Sequence, residues 1–101
     1  MLVEDELEAQ ADWRRQKALE YPNDRQNVDA AELFGKLAKE ALELDRSDPL
    51  LNSLDRLLER LQGDAMARFV ERRGEYHRQI GFSVFPSTVR EYLQGLIEIA
   101  R

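Results

Sequence analysis

Asp48-Pro49-Leu50-Leu51-Asn52-Ser53-Leu54-Asp55-Arg56-Leu57-Leu58-Glu59-Arg60-Leu61-Gln62-Gly63 is the stretch that decides the fold. Its leucines at 50, 51, 54, 57, 58 and 61 recur at helical intervals, which lays them along one side of an α-helix. Both ends of that helix are marked as well. The Asp48 carboxylate can accept from an otherwise orphaned N–H, Pro49 fits a first turn that needs no backbone donor, and Gly63 suits the exit. So broad an apolar stripe has to be covered by other elements, and the pattern places Leu54 and Leu57 deep in a core.

The flanking segments supply the cover. Upstream, Asp24 or Asn27 can cap a helix running to about Leu44, with Ala31, Phe34, Leu37, Ala38, Ala41 and Leu42 on one face. Leu33 and Leu44 widen that face, which makes this helix the central one. Before it, Val3 to Glu20 is rich in helix formers and stops at Tyr21-Pro22-Asn23-Asp24. Val3, Leu7, Ala11 and Ala18 make only a thin face there, so residues 1–10 are expected to fray and docking to begin near Trp13.

Downstream, Gly63-Asp64 turns the chain, with Asp64 as the new cap, into a helix from about Ala65 to Ile80. That helix carries Met66, Phe69, Val70, Tyr76 and Ile80, with Gly81 as its stop. Ser87 or Thr88 opens a last helix in which Thr88 and Glu91 have capping-box spacing and Val89, Tyr92, Leu93, Leu96, Ile97 and Ala100 repeat. No segment alternates as a strand does, and all 3 prolines fall at boundaries. The chain is therefore expected to be all-α: one domain over residues 1–101, a small bundle of four to five helices, antiparallel or orthogonal.

Composition narrows the functional classes. A chain of 101 residues without cysteine can hold neither disulfides nor thiolate metal sites, which fits a reducing cytoplasm. Its start, with Glu4, Asp5, Glu6 and Glu8, has the wrong sign for a secretory leader, and no apolar run reaches the ~18 residues a membrane span needs. The net charge of −5 is uneven, at −5 over residues 1–12, 0 over 13–46, −2 over 47–64 and +2 over 65–101. An acidic total works against non-specific attraction to nucleic acid or anionic lipid, leaving only a small basic C-terminal face.

Nothing in the chain assembles a catalytic or metal centre. His77 is the only histidine, has no positioned base partner in sequence, and is expected at the surface. The carboxylate pairs Glu4/Glu8, Glu40/Glu43 and Glu71/Glu75 lack the histidine and further inward acids of a di-metal bundle, and belong to solvated faces. No phosphate-binding or dinucleotide loop is present, so no cofactor and no small-molecule site is expected, and the protein is read as non-enzymatic. Trp13 should pack on the bundle while Arg14, Arg15 and Lys17 dissolve the outer face; Trp13 is also a candidate for contact with a partner.

Arg68, Arg72, Arg73 and Arg78, followed by Ser87-Thr88-Val89-Arg90-Glu91, resemble the layout of a helix-turn-helix DNA-binding motif over about residues 64–98. The resemblance would present the last helix to the major groove, with Ser87, Thr88, Arg90 and Gln94 outermost. Residues 81–86 make a longer turn than that motif uses, and Glu71, Glu75 and Glu91 interrupt the basic face, so DNA binding is the alternative reading.

Phe82, Val84 and Phe85 lie on a connector, where bulky apolar residues have to be either buried or used. The favoured reading is accordingly a small protein-interaction or regulatory module. Trp13, Phe82, Val84 and Phe85 are its candidate contacts, with another protein or a second copy of the chain as the partner.

Overall fold

A computed structural model describes residues 3–101, and among these the chain forms five helices and no strand: α1 (Val3–Glu20), α2 (Arg25–Glu43), α3 (Pro49–Arg60), α4 (Asp64–Gln79) and α5 (Val89–Ala100). Local chemistry sets most of the boundaries. Asp24 accepts from the Gln26 N–H at 3.0 Å, Asp48 from the Leu50 N–H at 2.9 Å and Thr88 from the Glu91 N–H at 3.2 Å, each satisfying a first-turn donor. Gly63, at φ 54°, takes the cap position expected of Asp64, which instead enters α4 as its first residue.

α1 and α2 form an antiparallel hairpin. Val3 borders the same hollow as Ala41 and Leu44 at one end of it, and Ala18 borders the same groove as Val28 and Ala31 at the other. α3 and α5 run side by side in the same direction, with Asp48 bonded to Arg90 at the start and Arg60 beside Arg101 at the finish. α4 lies against α5, where the Tyr76 ring covers Gly95 so closely that a Cβ there would come within 2.5 Å of the hydroxyl. The whole is flat, 42 × 31 × 20 Å, so its thin dimension holds about two helix layers.

The core is built from Leu7, Phe34, Leu37, Leu54, Ile80, Tyr92, Leu93 and Leu96. Three expectations need correction. Among the α3 leucines only Leu54 is deeply buried, at 1% exposure; Leu57 packs against the core half-buried, as do Leu50, Leu51 and Leu58, because a two-layer slab covers one flank of the stripe and not both. α1 docks from Val3, Leu7 and Ala11 onward, whereas Trp13 is 44% exposed, and Met1 and Leu2 lie outside the described residues. Arg14 and His77, expected at the surface, are both buried.

The connector between α4 and α5 is a tight knot rather than a simple extended link. The Gln79 carbonyl accepts from the Phe82, Ser83 and Val84 N–H groups, each at 3.0 Å, and the Gly81 N–H donates to the Val84 carbonyl at 2.9 Å. Gly81 is needed there on two counts. It sits at φ +89°, and a Cβ would stand 2.6 Å from that of Ala30 on α2.

Candidate functional site

Two groups of side chains stand out once the helices are in place. The first is a polar centre sealed between α1, α2, α4 and α5. His77, on the last turn of α4, has its Nε2 2.7 Å from the Tyr92 hydroxyl. Its ring is stacked with Tyr76 and Tyr92 and met edge-on by Phe34 at a centroid distance of 6.0 Å. With the Tyr92 O–H donating to Nε2, Nδ1 carries the proton toward Glu6, whose Oε1 lies 3.7 Å away and also 3.8 Å from Arg73 Nε. Burial foremost, and then the charges of Arg73 and Arg14, push His77 down to about 4, so the ring is neutral at pH 7. Burial also raises both tyrosines, Tyr76 to about 12 and Tyr92 further.

Arg14 supplies the other half of this centre. From α1 its guanidinium donates to the His77 carbonyl at 3.1 Å and the Arg78 carbonyl at 2.9 Å, two acceptors that the end of α4 leaves unpaired, and to Asn27 Oδ1 at 3.3 Å. The same group lies 4.5 Å from the Phe82 ring centroid and 5.2 Å from that of Trp13. Three helices and the connector thus meet on one cation. Chemically the arrangement is a lock: the two terminal nitrogens of Arg14 and the imidazole are engaged by neighbours, Arg14 Nε is buried without a hydrogen-bond partner among the described residues, and aromatic rings cover the imidazole.

The second group surrounds the start of α5. Glu91 returns its carboxylate to the Ser87 N–H at 2.7 Å, Glu40 of α2 takes the Val89 N–H at 3.1 Å, and Lys36 Nζ donates to the Ser87 carbonyl at 2.6 Å. Arg90 pairs with Asp48 at 2.6 Å, and that bond, ahead of the Leu50 N–H, holds the Asp48 carboxyl below its ordinary range. Of the residues proposed for DNA contact, Ser87, Thr88 and Arg90 are therefore engaged within the chain, and three carboxylates surround them; Gln94 is exposed. Of the arginines behind them, Arg68 and Arg72 are exposed, Arg73 lies over Phe69, and Arg78 bonds Glu75.

The candidate contact residues separate. Phe82 and Val84 turn inward and are half-buried, Phe82 under the Arg14 guanidinium and Val84 against the core. Phe85 turns outward and is 62% exposed. Trp13 lies across the molecule's α1 side, at the edge of a hollow shared with Gly74 and Arg78, with Lys17 Nζ 5.6 Å from its ring centroid. The structure thus does not join Trp13 and the connector into one cluster; only Arg14, between their rings, links them.

Two features escaped the sequence reading. One is the burial of Arg14 and His77. Each falls on an apolar stripe at helical spacing, Val3-Leu7-Ala11-Arg14 and Phe69-Arg73-His77-Ile80, and that position is the signal that could have found them. The other is a groove of about 620 Å³ beside the outer face of α2, floored by Ala18, Ala31 and Gly35 and rimmed by charges of both signs. Among the described residues no three acidic or imidazole side chains gather as a metal ion would require, and no helix is long and apolar enough to cross a membrane. Compared with protein-family models, curated proteins and solved structures, the chain matches none of them.

Proposed function

We propose that this protein is a non-catalytic interaction module with a regulatory or scaffolding role, which works by binding another protein or a second copy of itself. The observation that carries the reading is Phe85. It stands 62% exposed on a connector whose backbone is pinned by four internal hydrogen bonds, between neighbours that are themselves packed. A rigidly presented aromatic loses little freedom on binding, which suits it as an anchor for a partner. The DNA-binding alternative draws less support, because the residues it needs are already bonded and lie among Glu40, Asp48 and Glu91.

Affinity capture from the source cells with wild-type and Phe85→Ser baits, quantified by mass spectrometry and counting untagged copies of the chain itself, tests the reading. A protein retained by the wild type and lost by F85S is expected, with fold stability changed by less than about 0.5 kcal/mol, since the site is exposed. Equal recoveries on the two baits would contradict it.

A further inference from the structure

We infer that the interaction surface is the outer face of α2, that its occupant is a second copy of this chain lying antiparallel on it, and that the two-fold axis passes beside position 34. This rests on the interaction reading above and names its partner.

Charge order along α2 favours a second copy. Arg25, Asp29, Glu32, Lys36, Lys39 and Glu43 step along α2 by four and three residues, so they share one side of the helix, and all six are exposed. Their signs run plus, minus, minus, plus, plus, minus. Reversing that order about position 34 inverts every sign: Arg25 falls opposite Glu43, Asp29 opposite Lys39, and Glu32 opposite Lys36. An antiparallel copy related by a two-fold axis therefore meets opposite charge at all six positions, as an isologous interface requires. Although the chain as a whole carries −5, this stripe is neutral and does not repel its own copy.

These charges are not consumed within the chain. Lys36 bonds Ser87 and lies 3.7 Å from Glu40, but Arg25, Asp29, Glu32, Lys39 and Glu43 have no ion pair within 4.0 Å among the described residues.

Phe85 falls where the symmetry needs an apolar contact. The connector runs along the flank of α2, with Gly81 on Ala30 and the Ser87 carbonyl on Lys36, so Phe85 between them lies beside the midpoint of the stripe. The axis then sets both Phe85 rings on the same flank of the interface.

Sedimentation of the full chain over a wide concentration range, with Asp29→Lys, Lys39→Asp and their equimolar mixture, tests the proposal. D29K sets lysine against lysine twice per dimer and K39D sets aspartate against aspartate, so each alone should dimerise at least tenfold more weakly than the wild type. Mixed together, the two variants complement each other in both places, and dimer should reappear; an effect on the helix itself is not rescued from a separate chain. A monomeric wild type, single variants that associate as the wild type does, or a mixture no better than its components would each overturn the proposal. A monomeric wild type together with Phe85-dependent capture of a different protein would remove the second copy while leaving the interaction reading in place.

Discussion

α3 and α5 are both twelve-residue helices with a strong apolar stripe, and they lie side by side, yet α5 buries Val89, Tyr92, Leu93, Leu96, Ile97 and Ala100 while α3 buries Leu54 alone. The difference lies in their surroundings. α5 is packed by α2, α3 and α4, whereas α3 packs mainly on α5. Helical period reports which residues share a side; how deep that side sits depends on how many neighbours reach it.

The sharpest way to break this comparison is to truncate one leucine from each helix. Leu93→Ala, in a site enclosed on all sides, should cost about 3 to 5 kcal/mol, while Leu57→Ala, half-buried and free to relax toward solvent, should cost about 1 to 2 kcal/mol. Urea denaturation of the two variants measures the gap. Equal losses would mean that α3 is as enclosed as α5.

Acid should act on one helix of the pair more than the other. α5 is tied through Tyr92 to His77, whose neutral form is held from the ordinary 6.5 down to about 4, whereas Asp48, the titratable group that caps α3, is only partly buried. The folded protein binds fewer protons than the unfolded chain between those values. The stabilisation contributed by the neutral imidazole is thus complete above pH 6.5 and is lost as pH falls toward 4, by about 3 kcal/mol. Unfolding free energy measured from pH 8 to pH 4 should fall over that window, and His77→Gln should flatten the fall. A profile unaltered by H77Q would place the acid sensitivity elsewhere.

The smallest effect concerns the caps. Thr88→Ala removes one first-turn acceptor from α5 and should cost about 1 kcal/mol. The loss stays modest because Glu40 still holds the Val89 N–H and Glu91 the Ser87 N–H. A far larger loss in the melting temperature of T88A would show that the whole start of α5 depends on that one hydroxyl.

Much of the architecture was legible in the residues themselves. The prolines, Asp24, Asp48 and Thr88 mark helix starts by chemistry that needs no distant partner, and Gly63 and Gly81 mark reversals that require positive φ. The polar centre was less legible because it is assembled from four helices: nothing local to Arg14 announces that it will bond the carbonyls of residues 77 and 78. Position offered the one hint, since a charged residue on an apolar stripe must find partners or be expelled. For the connector, three apolar side chains in a row of four said that something had to be buried, but only the Gly81 approach to Ala30 turns Phe82 and Val84 inward and leaves Phe85 out.

The half-covered leucines of α3 compete with the outer face of α2 and Phe85 as a surface on which a second copy could settle. Amide NMR spectra followed on dilution decide between them. Concentration-dependent shifts should appear at Asp29, Glu32, Lys36 and Lys39 and around Phe85, and should leave Leu51, Leu57 and Leu58 unmoved. Shifts that map instead to the α3 leucines would contradict the account and make the incomplete cover of that stripe the binding surface.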